Sequence, residues 1–338
     1  MVPVWVTAGR RVRKIVKSRY VPYVAFGASF SFIVMMFNIP VPDGTTAHGV
    51  AGTLTAILLG PWAAVISVSV ALIIQALFFG DGGVLAIGAN CFNMALVLPF
   101  VGYVVYRALT RNITLTNPRR ALAGGIGAYV GLNVAAMCAA IEFGIQPDLF
   151  KASDGTPLYA PFHVAQTIPA MALAHLTVAG VAEFALTFGV IAFLQRANVP
   201  VLRINHPNIP ISGEMPDRRP LGWRWAFIGL GVLVVLTPLG LLAPGGAFGE
   251  DNPESLDLGK YNLKAVPTGL ARWSSFWNRS VLGGYGFKSG EHPNIGYIAS
   301  AVVGMAVIAI GVYLVFLTIR LVARMRAHGS TLTVSASP

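Results

Sequence analysis

Apolar residues in this chain come in unbroken runs, not in the alternating or every-third-residue stripes of half-buried elements. Eight runs stand out, at about 20–38, 48–59, 61–79, 84–107, 121–144, 172–196, 224–243 and 296–320. Several reach the roughly 20 residues that a helix needs to cross a bilayer core. The pattern predicts an all-α, polytopic membrane protein: about six core spans, with a further N-terminal one missing, and two spans near the C-terminus. The run 48–59 is too short to cross upright. It is expected as a short, protein-buried helix that turns at Gly60-Pro61 into the next one. Residues 160–171 are expected as a re-entrant or interfacial helix, separated by Pro169 from the next helix.

The polar stretches divide the chain. Segment 197–223 carries five prolines and both charge signs, as a linker does, whereas 244–295 mixes acidic residues with Lys260, Lys264, Trp273 and Trp277. This gives a membrane core at 1–207, a linker at 208–223, and a two-span unit at 224–338 that holds 244–295 as a small extracytoplasmic domain. Met1–Thr7 is apolar and runs at once into a basic cluster. It is too short for a signal peptide and is expected to be the tail end of a helix whose beginning is missing.

Charge sharpens the picture. Apolar residues make up 55% of 338 positions and charged residues 11%, too few to cover a water-facing surface. The formal charge of +11 sits in short clusters between the runs, without aromatic interleaving, which argues against nucleic acid. Four clusters (10–19, 107–120, 196–224 and 320–326) hold 18 of the 24 Lys and Arg residues. If every run crosses once, all four share one side. By the positive-inside rule that side is the cytoplasm, in a multi-pass protein with a cytoplasmic C-terminus. Cys91 and Cys138 lie inside apolar runs and match no metal or disulfide spacing.

Candidate chemistry gathers in the turn Asn38–His48, which has prolines at 40 and 42, Asp43-Gly44, two hydroxyls and one imidazole. His48 is expected at the start of the short helix, as a divalent-metal ligand or as a turn-capping side chain. Asn38, Asp43 and Thr46 would support the turn. His175 and Glu183 lie eight residues apart on one helix, approximately on one face; a hydrogen bond between helices stands beside a functional role for Glu183. Asn90 and Asn93 either hold helices together or line the turn from behind. His163 is placed near the membrane boundary, and His206, His292 and His328 are expected in solvent. Gly124, Gly127, Ala128 and Gly131 allow close approach of helices, within the core or to a partner. No phosphate loop and no convincing nucleophile–base pair occur, so energy from ATP must come from another chain.

Asn38–Gly49, Ala56–Ala63, Gln75–Gly83 and Gly88–Met94, in that order, closely resemble the CbiM/NikM family, and Ala174–Glu183 is similar to its last core helix. These are the substrate-binding membrane components of energy-coupling-factor (ECF) transporters, a class of ABC transporter, for cobalt and nickel. Residues 224–320, through Leu236–Leu241, resemble the small CbiN/NikN component. The resemblance implies a seven-span core that captures Ni(II) or Co(II) outside, with a coupling subunit (CbiQ/NikQ-like) and a cytosolic ATPase (CbiO/NikO-like) as partners. It also implies a nitrogen-rich site formed by the N-terminal amine, a second-position histidine, and the histidine matching His48. Position 2 here is Val2, so a start downstream of the true one, or a truncated gene, is expected. A metal-free scaffold and a membrane enzyme using His175 and Glu183 are the competing readings. Nickel and cobalt are not separated.

Overall fold

In the computed structural model, residues 1–15, 21–41, 45–211, 222–243, 245–250 and 253–334 are described. The apolar runs become helices that Gly, Pro and short polar stretches cut apart. In chain order they are α1 (Val2–Ile15), α2 (Val21–Met35), α3 (Gly52–Leu59), α4 (Pro61–Phe79), α5 (Ile87–Leu109), α6 (Arg119–Gly144), α7 (Val164–Ala197), α8 (Trp223–Leu242) and α9 (Pro293–Val334). Six of these, α4 to α9, contain stretches long and apolar enough to cross a membrane, and α2 is a shorter apolar helix. Two short strands, β1 (Ile39–Pro40) and β2 (Thr46–Ala47), pair antiparallel between α2 and α3.

The run at 48–59 is helical only from Gly52, so α3 has eight residues and rises about 12 Å. His48 lies ahead of this helix, not in it. The reason is long-range: Ala51 adopts φ 58°, and the Val50 and Ala51 amides are taken by Glu183. A second difference concerns Pro169, which sits inside Val164–Leu173 and does not end the helix there. A π turn at Ala174–Ala179 joins the pieces into one 34-residue span, Val164–Ala197. Such a turn re-phases a helix without ending it.

α4 lies at the centre: 78% of its most apolar window is buried, against 18% for α9, which keeps a face for lipid. Around α4 pack α1, α2, α3, α5 and α9. The small residues of α6 serve internal packing. A methyl group placed on Gly127 would fall 2.5 Å from the Gly102 carbonyl oxygen, so α5 and α6 touch backbone to backbone.

The C-terminal unit does not stand apart. α9 packs on α2 and α4, and the Tyr297 hydroxyl donates to the Met36 carbonyl. Gly240 lies so close to Met36 and Asn38 that a Cβ there would collide with the Met36 oxygen. Gly246, Trp277 and Leu282, from the stretch between α8 and α9, reach the same end of the core. The Thr46 amide donates to Gly246, the Leu282 amide to Phe78, and the Trp277 indole to Leu77.

At the far end of α5, Arg120 is 2% exposed and donates to the carbonyls of Thr110, Ile113 and Thr114 and to the Tyr106 hydroxyl. Beside it lies His206, which contrary to expectation is buried, at 2% exposure, against the rings of Tyr103 and Tyr106. Neither ring nitrogen makes a well-formed hydrogen bond, though the Ile57 carbonyl pulls its pKa slightly upward. Burial, and then the charges of Arg120 and Arg107, hold that pKa down at about 4 against an ordinary 6.5. The unfolded chain therefore takes up a proton that the folded chain refuses between these values. Stability should be constant above about pH 6.5 and fall as pH drops toward 4, by up to about 3 kcal/mol. Thermal unfolding across that window checks this; the dependence should flatten in His206→Phe.

Candidate functional site

The loop between α2 and α3 is a small hairpin, with Ile39 opposite Ala47 and Pro40 opposite Thr46. Asp43 lies outside the described residues. Asn38 closes the α2 end through its own amide to the Met36 carbonyl. Thr46 is buried. Half-buried His48 comes next, its Nδ1 3.0 Å from the Gly49 carbonyl oxygen. A carbonyl only accepts, so Nδ1 carries the proton and Nε2 keeps its lone pair.

Behind His48 the chain is clamped. Glu183, 0% exposed, accepts the Val50 and Ala51 amides on one oxygen at 2.8 and 3.0 Å. The Ser31 hydroxyl donates to the Val50 carbonyl at 2.6 Å, so the 49–50 and 50–51 peptides are held from two helices. A Cβ at Gly49 would meet Glu183 Oε2 at 2.9 Å, and a side chain there would force the carboxyl away. Of the two readings of Glu183 made from sequence, the structure realises the hydrogen bond, directed to loop backbone. His175 accompanies it on α7. Its Nδ1 lies 2.9 Å from the Met171 carbonyl oxygen, its ring lies within electrostatic reach of His48, and β2 packs on the π turn that carries it.

His48 lines a cavity of about 20 Å³, space for one water-sized occupant, together with Gln75, Asp81, Asn90, Met94 and Glu250. Asp81 and Glu250 are functional candidates that reading the sequence did not single out. Asp81 sits between Gly80 and Gly82, both at positive φ, in a segment expected as a plain turn. Its legible signal was a carboxylate in a glycine-flanked bend shortly after the intramembrane Gln75. Glu250 comes from the C-terminal unit, and nothing local announces it.

The same unit supplies Tyr285, whose hydroxyl donates to the Asp81 carboxylate while the Gln75 amide donates to both. Burial, and then the neighbouring Asp81 charge, push the Tyr285 phenol well above its ordinary pKa, so it stays a donor. Asn90 lines the cavity and donates to the Gly82 carbonyl. Asn93 does not line it; its amide donates to Glu142 on α6 at 2.7 Å, holding helices together. Met1 and Val2 are not among the lining residues.

The lining thus presents one imidazole nitrogen, two carboxylates and amide oxygens, with no Lys or Arg among the described residues. That set attracts a small divalent cation, and its nitrogen donor suits a late first-row metal. Among the described residues no three His, Cys, Asp or Glu side chains are grouped closely enough to hold a metal ion by themselves.

Residues 1–201 match the CbiM family model, described as a cobalt uptake substrate-specific transmembrane region. A fused nickel transport protein of Rhodobacter capsulatus is 43% identical over 323 residues, covering 92% of this chain and 90% of that protein. A probable fused nickel transport protein of Lactiplantibacillus plantarum is 40% identical over 312 residues, covering 91% and 89%. A crystal structure described as a truncated transition metal transporter is similar at 52% identity, with TM-score 0.54, covering 57% of this chain and 89% of that one.

Proposed function

The chain belongs to the CbiM family, with a NikN-like unit fused at its C-terminus, and from that premise we propose that it is the substrate-specific membrane component of an ECF-type importer of Ni(II) or Co(II). The relatives it matches are transport proteins, not enzymes. The hairpin end of the bundle faces outward, and the basic clusters mark the cytoplasmic side with the C-terminus. Asp81 and Glu250 draw a hydrated cation to the cavity mouth by charge. His48 then replaces a water ligand through Nε2, since Nδ1 is occupied by Gly49. Asn38 and Thr46 support the loop around it, Asn90 lines the cavity, and His175 lies within electrostatic reach of His48. With no phosphate loop in the chain, a coupling subunit and a cytosolic ATPase supply the energy.

The observation that carries this reading is His48, its Nδ1 engaged by the Gly49 carbonyl, beside two carboxylates in a cavity sized for one small occupant. The test is uptake of radioactive nickel and cobalt by cells expressing the chain with its partner subunits. His48→Ala should lower uptake at limiting metal more than tenfold at unchanged membrane level. Equal uptake by both forms would remove His48 from the site. No uptake by the parent form would favour a scaffold.

A further inference from the structure

α3 is held at both ends by one stretch of chain, α7 and its continuation. At the start, Glu183 of α7 takes the Val50 and Ala51 amides. At the other end, the Asn205 amide donates to the carbonyls of Ala56 and Ile57, each at 3.2 Å. The Ala56 carbonyl also accepts the Gly60 amide at 2.9 Å, the closing bond of the helix. The Ile57 carbonyl lies in the last turn, whose oxygens a helix leaves without internal partners, and four residues on stands Pro61, which has no amide hydrogen to offer it. Asn205 is fixed in turn. Its amide also donates to the Tyr103 hydroxyl, and Gly60, at φ 93°, leaves so little room that a Cβ there would lie 3.2 Å from the Asn205 oxygen.

Between its ends α3 is rigid and enclosed. Residues 52–57 and Leu59 are buried, the Thr53 hydroxyl donates to the Leu98 carbonyl, and a Cβ on Gly52 would strike the Leu98 side chain. A short helix packed in this way shifts as a unit, because bending it would break close-packed contacts all along its length. His48 stands four residues ahead of its first turn.

We propose that Asn205 is a positioning residue for His48, acting through α3, so that segment 198–211 sets how the 48–51 loop is presented to the cation. Release of the Asn205 clamp at one end of α3 loosens the Glu183 clamp at the other. The cation clause rests on the transport reading above; the mechanical coupling does not.

The test uses the full chain in lipid nanodiscs. Hydrogen exchange is compared for the parent, Asn205→Asp (same size, but its carboxylate repels the carbonyls) and Asn205→Ala. The Val50 and Ala51 amides should exchange about tenfold faster in Asn205→Asp, with α4 and α5 unchanged. Faster exchange confined to 56–61 and 198–211 would overturn the proposal. Should the Asp form loosen the whole bundle, the Ala form decides by the same comparison. In cells with the partner subunits, Asn205→Ala should raise the half-saturating nickel concentration severalfold, in the direction of His48→Ala but by less, with the maximal rate little changed; a fall in the maximal rate alone counts against the proposal. If the parent imports no metal, the transport reading fails while the exchange comparison still decides the coupling.

Discussion

Replacing Glu183 by alanine should destabilise the protein by roughly 3–5 kcal/mol and bring metal uptake to background. Two buried backbone amides lose their acceptor at once, and no water reaches a side chain that is 0% exposed. The missing carboxyl also leaves a void beneath Gly49, where nothing larger than hydrogen fits while Glu183 is present. The loop carrying His48 would relax into that void. Glu183→Gln separates acceptor from charge, since its amide oxygen still receives both hydrogens. It should keep most of the stability, while its amide donors enter a pocket where Glu183 Oε1 has no partner. Thermal unfolding in detergent together with uptake in cells measures both. Retention of uptake by Glu183→Ala at normal expression would show that the clamp is dispensable.

Arg120→Met should cost a comparable 3–5 kcal/mol, for a different reason. No carboxylate among the described residues pairs with Arg120; the guanidinium is held by three carbonyls and a phenol. Methionine fills much of the space and offers no donor, so those acceptors are stranded. Lysine restores charge but cannot reach the same fan of oxygens, and Arg120→Lys should recover little. A second signature accompanies the loss. With one of the two cations beside it removed, His206 should titrate above its present value of about 4, and the acid-sensitive window should narrow from below. Unfolding of Arg120→Met and of the His206→Phe double variant across pH 4–7 reads both effects. An unchanged pH profile in Arg120→Met would mean that the Arg120 charge does not hold the His206 pKa down.

Most of the architecture was legible because a span needs only length and apolarity, both of which are local. The runs at 61–79 and 224–243 match their helices almost residue for residue, and the run at 296–320 lies within the longer α9. The features that were not legible depend on partners far along the chain. The true start of α3 comes from a hydrogen bond between residues 132 and 133 positions apart. His206, in a polar, proline-rich stretch, reads as solvated until α5 supplies two tyrosine rings. Pro169 reads as a breaker, yet the helix runs on through it from Val164 to Leu173, and the π turn that continues the span at Ala174–Ala179 has no sequence mark. At the site, the turn chemistry of 38–48 pointed to His48, and an ionisable residue inside a span pointed to Glu183. Asp81 went unremarked among glycines, and Glu250 and Tyr285 join it only through tertiary packing.

The hairpin draws one of its backbone hydrogen bonds, Thr46 to Gly246, from two hundred residues later, and α2 has its terminal carbonyl at Met36 capped by Tyr297. During synthesis, then, the first helices can insert long before the mouth of the cavity is finished. The ribosome must pass α8, and the last hydrophobic segment must enter the bilayer, before the receptor end acquires its final shape. A nascent chain stalled at the linker would be membrane-embedded yet unready, and fusing the two units in one polypeptide makes maturation of the mouth the closing event of biogenesis.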